Sequence, residues 1–440
     1  MTLKLVDFEN LAGAFTLAPT MEGFELKAIR RVTPFGLQNI LNNSHYFSLH
    51  DAIKNQDIEV SSVPKSQAPL TPVHGVHLLT ATPPCSGFSL LNTSKTDSRR
   101  GQYSTINGCM YEVIGFASRC TGSDGRPGPE IVSFESVQQA YKIGRDLMIT
   151  LLNLLRGETG QDYTLYHVLL SGASVGAAQI RRRYFWVASR VPFGVMPPEI
   201  HKVATYEDAI SDLEDAPLSW DWQPISAPAT PWQQEWNIRE PDITYVNAHN
   251  RHVNPYVGRM EALARGVTWG AGEEHKRIAK RYFREHGRLP DEWGDFDIER
   301  IDTGFHGTIR TRPNRSGYVI TGAGGVNFLH YKHDRILTVR ECARLMGFPD
   351  DWNWDPGSGS RAFLWLGKQL PIQNGRWIAR WMRESLNGAP GGWRGEQLSD
   401  KEYVIDITND FRKVYDERTG EQCDSRTKQH VEQMERRHIS

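Results

Sequence analysis

Cysteine is scarce in this chain. There are five in 440 residues, at positions 85, 109, 120, 342 and 423, with no Cys-x-x-Cys pair and no His/Cys grouping at zinc spacing. That excludes a disulfide-stapled secreted scaffold and a zinc-finger module, and fits free thiols in a reducing cytoplasm. Long apolar runs are missing too: none approaches the roughly 18 residues of a membrane helix. The opening MTLKLVDFEN has no signal-peptide core. The expectation is a soluble cytoplasmic protein with no membrane partner. An excess of either charge is also absent, since Lys+Arg is 51 and Asp+Glu 52. A balanced total still permits nucleic-acid binding, which depends on a local basic face rather than on the sum. No internal repeat occurs. A hydrophobic content of 39% with 23% charged residues rules out a coiled coil, a collagen-like chain and a mainly disordered protein.

What is present is enough chain for two or three units at roughly 150 residues each. Short β-rich runs at 130–137, 163–175 and 182–191 alternate with helix-like stretches at 111–120 and 137–155. Strands interleaved with helices predict an α/β sheet covered on both faces. The rhythm breaks after about Asp212, where the chain turns rich in Trp, Pro, Gly, Arg and His. The predicted organisation is a catalytic α/β domain over 1–213, an irregular insert over 214–333, a return to the first domain over 334–388 and a charged extension over 389–440. Trp377, Ile378, Trp381 and Met382 share one helical face in the returning part. Residues 403–421 read as a charged hairpin.

The sharpest chemical signal is Thr82-Pro83-Pro84-Cys85-Ser86-Gly87-Phe88-Ser89, directly after a strand. Two prolines before the thiol and a glycine after it hold a cysteine in a tight loop. Strand ends of that kind are where open α/β sheets build their sites. An isolated cysteine of this sort is more often a buried packing residue; its surroundings decide otherwise.

That loop resembles the Pro-Pro-Cys-Gln-Gly-Phe-Ser loop of the cytosine-5 DNA methyltransferase family. Other blocks follow in the family's order. Residues 129–137, PEIVSFESV, resemble the block ending Glu-Asn-Val, with Ser136 in place of Asn. Gln179-Ile180-Arg181-Arg182-Arg183 matches Gln-x-Arg-x-Arg, and residues 335–350 match the late block. Gly367-Lys368-Gln369-Leu370-Pro371 stands where the family has Gly-Asn-x-Val-Pro. The resemblance implies a Rossmann-like class I methyltransferase fold with a mixed, mostly parallel sheet and a smaller irregular target-recognition domain. It also implies a monomer acting on double-stranded DNA in a bacterial or phage-infected cell.

The implied chemistry is covalent. Cytosine C5 becomes nucleophilic only after a thiolate adds to C6. Cys85 is the expected nucleophile, Glu135 the group at N3, and Arg181 and Arg183 the contacts to O2, phosphate or the acids that order the site. The cytosine must leave the helical stack. Ser89, Gln179, Lys276, Arg277, Lys280, Arg281, Arg310, Arg312 and Arg315 are the expected DNA contacts, most of them in two basic stretches of the insert.

Departures from the family gather on the cofactor half. Beside Gly13, the first block places Phe15 where a glycine is expected; the acid after the second strand falls at Arg31 or Arg30; and the Asp before the cysteine loop is His77. The Asn of the final block is Lys368, while Asp51 keeps the adenine-contacting acid. Replacements that all move towards positive charge point to a more anionic donor. Methylenetetrahydrofolate, its pterin packed on Phe15, would deliver a hydroxymethyl group and yield 5-hydroxymethylcytosine. Ordinary methylation from S-adenosylmethionine, carboxymethylation from carboxy-S-adenosylmethionine, an RNA substrate and an inactive DNA-binding paralogue remain open.

Overall fold

In the computed structural model the described residues are 2–8, 13–32, 34–47, 58–60, 70–89, 101–193, 204–213, 309–310, 313–314, 316–317, 319–320, 328–332, 337–354, 359–388 and 395–408. They fall into two compact units, Met1–Ala204 with Leu370–Ser440, and Thr205–Gln369.

The first unit is built on a nine-stranded sheet. In chain order its strands are β1 (Leu3–Phe8), β2 (Phe24–Val32), β3 (Ile58–Val60), β4 (Leu78–Ala81), β5 (Ile131–Ser136), β6 (Thr164–Ser171) and β7 (Arg182–Ser189). The last two come from the C-terminal part and are numbered β10 (Glu396–Ser399) and β11 (Glu402–Asp406). The spatial order is β10-β11-β6-β7-β5-β4-β1-β2-β3. Pairing is parallel from β3 through β2, β1 and β4 to β5, antiparallel on both sides of β7, parallel between β6 and β11, and antiparallel within the β10–β11 hairpin. Central strands β4 and β5 are buried at every position. Burial on both faces removes any solvent-facing row from them, although Thr80, Ser133, Glu135 and Ser136 are polar.

Helices α1 (Ala14–Met21), α2 (Pro34–Asn42), α3 (Gly108–Ala117), α4 (Gln139–Thr159) and α8 (Ile372–Leu386) belong to this unit. Val6, Phe8, Leu79, Phe134 and Trp186 point to the face where α3 and α4 contribute Ile114, Phe116, Met148 and Leu151. There Phe134 stacks on Trp186 at 4.8 Å, and the Trp186 indole N–H donates to the Met148 carbonyl at 3.0 Å. On the other face α8 lies against α1. A Cβ on Gly375 would come within 2.6 Å of the Ala18 Cβ, so only glycine permits that approach. Ile378, Trp381 and Met382 are buried and Trp377 is half-buried, in keeping with the apolar face read from their spacing. On α8 the polar positions Arg376 and Arg380 grip the buried Glu22 carboxylate at the end of α1, and Arg383 donates to its carbonyl.

The second unit holds α5 (Tyr206–Ile210), α6 (Val339–Leu345), α7 (Gly359–Lys368) and a two-residue parallel pair, β8 (Ile309–Arg310) with β9 (Phe328–Leu329). Capping boxes start α5 at Thr205 with Asp208 and α6 at Thr338 with Glu341. Arg344 of α6 donates to Asp212 and to the Ala209 carbonyl at 3.0 Å, which ties residues 204–213 to the block around 337–350. Among the described residues, no helix is long and apolar enough to cross a membrane.

Candidate active site

Topology alone brings the catalytic candidates together. β4 and β5 are parallel, so both end at the same edge of the sheet. β7 runs antiparallel to β5 and therefore begins at that edge. Cys85 follows β4 at this edge, Glu135 is next to last in β5, Arg181 immediately precedes β7 and Arg183 is its second residue. Glu135 lies opposite Phe185. Arg183, two residues from Phe185, shares its face, so the guanidinium reaches diagonally across to the carboxylate. The Arg183 Nε and Glu135 Oε1 atoms form an ion pair in which both side chains are buried.

The loop carrying Cys85 is held from several sides. The Phe88 N–H donates to the Cys85 carbonyl at 3.0 Å, and the Gly101 N–H donates to the Gly87 carbonyl at 2.8 Å. A Cβ on Gly87 would lie 2.9 Å from the Ser104 Cβ. The Phe88 ring is seated on Gly144, where α4 kinks at φ −122° and ψ 15°; a Cβ there would come within 2.7 Å of the ring. The sequence shows the loop but not this seat, since nothing adjacent in the chain marks Gly144.

Electrostatics follow from burial. Burial, with help from the Glu135 charge, pushes the half-buried Cys85 thiol up, while Arg183 and Arg181 pull it down. Burial also raises Glu135 above the usual carboxylate range against the opposing pull of the same two arginines. Burial and the neighbouring Arg183 charge lower Arg181. The result is a thiol and a carboxyl that both hold their protons more tightly than usual, beside two cations at one strand edge. Such a set can add a sulfur nucleophile to an electron-poor ring and hold a proton at a ring nitrogen.

Gln179, expected at DNA, is fully buried. The turn between β6 and β7 closes on itself, with the Gly172 N–H on the Arg181 carbonyl at 2.8 Å and the Ala177 N–H on the Gly172 carbonyl at 2.9 Å, and it carries Gln179 inside. Ser89 is half-buried at the end of the cysteine loop. Lys276, Arg277, Lys280, Arg281, Arg312 and Arg315 lie outside the described residues, as does the Arg310 side chain.

The sheet changes direction of winding between β1 and β4, and the crevice beyond their carboxyl ends is the expected cofactor position in such a sheet. Gly13 opens α1 there at φ 96°, a left-handed conformation that favours glycine. Phe15, expected in the loop against the cofactor, is instead the second residue of α1. It is 1% exposed and meets Phe185 edge-on at 5.4 Å, because the helix turns its side chain into the core. His77 is likewise displaced. It precedes β4 at the opposite edge, about 13 Å from the cysteine loop by strand rise, and its Nδ1 accepts the Lys4 N–H at 3.0 Å. Burial lowers its pKa, with the Glu130 charge opposing.

Arg31 does stand at the carboxyl end of β2, in a bulge at φ 60°. Its guanidinium lies 6.0 Å from the Phe8 ring centroid and is ion-paired to Glu112 of α3. Glu112 escaped the sequence reading, because a lone glutamate in an amphipathic helix carries no signal. Arg30 is buried and donates to the Thr71 carbonyl at 3.1 Å. Lys368 belongs to the second unit, exposed at the end of α7 with its ammonium 4.7 Å from the Trp365 centroid. Asp51 lies outside the described residues.

Comparisons with known proteins bear on the family of the chain. The profile of the C-5 cytosine-specific DNA methylase family matches residues 13–383. The type II methylase M.HgiDII of Herpetosiphon aurantiacus is 21% identical over 397 residues, covering 88% of this chain and 97% of that protein. DNA (cytosine-5)-methyltransferase 2 of Arabidopsis thaliana is 24% identical over 74% of this chain and 23% of its own length. Among solved structures, a prophage-encoded DNA modification methyltransferase of E. coli superposes with a TM-score of 0.50 at 18% identity, over 88% of this chain and all of that one. With its motif blocks, its mixed sheet and a profile match that spans most of its length, the chain belongs to the C-5 cytosine-specific DNA methylase family.

Proposed function

We propose that this protein methylates C5 of cytosine in double-stranded DNA, with S-adenosylmethionine as donor. The observation that carries the reading is the convergence of Cys85, Glu135, Arg181 and Arg183 at one edge of the sheet. Duplex DNA hides C6 from a thiolate, so the target base is turned out of the stack into this edge. Cys85 loses its proton and its sulfur bonds to C6. Glu135, its pKa raised by burial, hydrogen-bonds N3 and shares a proton with it, which draws electrons from the ring. Arg183 keeps Glu135 in place, and Arg181 supplies positive charge where the thiolate and the ring oxygen are negative. S-adenosylmethionine, when bound, supplies the methyl group to C5. Loss of the C5 proton then restores the double bond as the Cys85 sulfur leaves C6.

The residues on the donor side fit an adenosine-bearing molecule. Gly13 leaves the start of α1 open to close approach. A ribose diol offers hydroxyl donors and needs an acceptor, which Arg31 is not; the carboxylate of Glu112, held beside it, would serve. The folate reading rested on four replacements. Phe15 packs in the core, His77 sits at the far edge and Arg31 is matched by Glu112, so these three no longer argue for an anionic donor. The basic stretches around Lys276–Arg281 and Arg310–Arg315 are proposed to contact DNA phosphates.

Nucleoside mass spectrometry on DNA treated with the protein tests this reading. S-adenosylmethionine and methylenetetrahydrofolate are supplied in separate reactions, with Cys85→Ala as control. The expected product is 5-methylcytosine in the first reaction alone. 5-Hydroxymethylcytosine in the second would overturn the donor assignment, and modified RNA in place of DNA would overturn the substrate.

A further inference from the structure

The face of β7 opposite the catalytic pair carries a buried polar chain that the proposed chemistry does not use. Glu402 of β11 is 6% exposed and accepts four contacts. Arg145 of α4 donates from Nε at 3.0 Å and from Nη2 at 3.1 Å, His167 of β6 approaches through Nε2 at 2.9 Å, and Ser399 donates at 3.4 Å. On the other side of the imidazole, His167 Nδ1 lies 2.7 Å from the Tyr184 hydroxyl. His167 and Tyr184 are completely buried, and the Tyr141 ring covers the imidazole at 5.0 Å.

The proton arrangement is determined. Burial alone would raise Glu402, but the hydrogen bonds from Arg145 and His167 hold it below the usual range, so it is an acceptor only. His167 must then carry its hydrogen on Nε2. Burial lowers its pKa to about 4, so the ring is neutral and Nδ1 is a lone pair. Burial keeps Tyr184 protonated, and its hydroxyl donates to Nδ1. One directional chain thus runs from Tyr184 on β7 through His167 on β6 to Glu402 on β11, a strand far from the other two in sequence.

Tyr184 sits between Arg183 and Phe185, paired with Leu169 on β6 and with Ser136 on β5. Side chains alternate along a strand, so a slip of one residue would carry Arg183 to the wrong face, away from Glu135. A hydrogen bond with one donor and one acceptor tolerates no such slip, whereas apolar packing of Leu, Phe and Tyr would. We infer that Glu402, acting through His167 and Tyr184, is a positioning residue that holds β7 in the register placing Arg183 against Glu135. The hairpin at 396–406 is then part of the site's construction rather than an appendage. A buried ionic network contributes little net stability compared with apolar filling, and specification of a single arrangement is a recognised reason to keep one.

The inference rests on the cytosine reading of the site, and its test separates the two. Full-length wild type, Tyr184→Phe, Glu402→Gln and the double variant are mixed with S-adenosylmethionine and duplex DNA of random sequence containing 5-fluorocytosine, which traps the covalent adduct. At saturating DNA each single variant should form adduct about tenfold more slowly, with Kd for DNA within about twofold. The double variant should be no slower than the slower single, because both act on one chain. Hydrogen exchange should rise in residues 182–189 more than in β4. Unchanged adduct rates with only a lowered melting temperature would overturn the inference, as would unchanged exchange in β7. Failure of wild type to form any adduct would sink the cytosine reading instead, and the exchange comparison would still decide the register claim.

Discussion

Two neighbouring sites at the carboxyl edge of the sheet are built by different rules. Around β4, β5 and β7, every chemically important side chain belongs to a recognisable block, and topology delivers all of them to one place. At the ends of β1 and β2, the residues proposed to meet the donor are a glycine in a left-handed turn, an arginine in a bulge and a glutamate from a helix far along the chain. The first site is dictated by bond-making chemistry that allows few substitutes. The second needs only shape and hydrogen-bond complementarity to a bound molecule, and several residue sets can supply that.

The largest effect should come from the nucleophile. If Cys85 is the nucleophile, Cys85→Ala removes the atom proposed to bond C6, so adduct formation and methyl transfer should fall by at least about a thousandfold. DNA binding and melting temperature should stay near wild type, since the half-buried thiol makes no packing contribution comparable to a core side chain. Residual turnover within tenfold of wild type, measured by tritium transfer from labelled donor, would remove Cys85 from the mechanism. The pH profile should carry the same signature. Burial raises the thiol, so the adduct rate should climb through and above the ordinary thiol range near pH 8.5. Arg181→Gln should shift that limb further to high pH, because a cation that lowers the thiol pKa has been removed.

Phe15→Ala tests whether the donor side includes this ring. Its burial against Phe185 predicts a loss of about 3–5 kcal/mol in unfolding free energy, as for other Phe→Ala changes in cores. A pterin platform would instead lose donor affinity at nearly constant stability. Denaturant titration beside calorimetric donor binding distinguishes the two.

How far these outcomes were legible in the sequence depends on the kind of neighbour involved. Alternating strand and helix runs announced the α/β sheet, and the blocks containing Cys85, Glu135 and Arg183 announced the site, because each block is local in the chain. What the sequence hid was adjacency across the sheet. His77 aligns with a family acid in sequence, yet four strand residues carry it to the opposite edge. Gln179 sits in the right motif and is turned inward by a closed loop. Phe15 lost its expected place to a helix that begins at Ala14. Glu402, His167 and Tyr184 form one chain although 235 residues separate the first two, and no periodicity connects them.

That chain also makes a stability prediction on the far side of the sheet. The folded-state pKa of His167 is lowered from 6.5 to about 4. The unfolded chain therefore takes up a proton at this histidine as pH falls through 6.5, while the folded one does not until near 4. Stability is fully present above pH 6.5 and declines between 6.5 and 4, by up to about 3 kcal/mol from this one group. His167→Gln should flatten that part of the pH–stability curve while lowering its neutral plateau. A curve of the same slope in wild type and variant would place the acid sensitivity elsewhere.

The smallest effect is the one that most sharpens the contrast between the two sites. If Glu112 is the acceptor for the donor's ribose, Glu112→Gln keeps the length and one carbonyl oxygen but loses the charge that Arg31 anchors. Binding of S-adenosylhomocysteine, followed by calorimetry, should weaken about tenfold, the range expected for one charge-assisted hydrogen bond. The 2′,3′-dideoxy form of the same ligand should bind wild type and variant alike, because both hydroxyls that tell them apart are gone. Arg31→Met should weaken the hydroxylated ligand less than Glu112→Gln does, since it frees the carboxylate without removing it. Equal loss for both ligands in the Glu112 variant would mean that the ion pair only shapes the end of β2. The ribose would then take its acceptor from elsewhere at that edge.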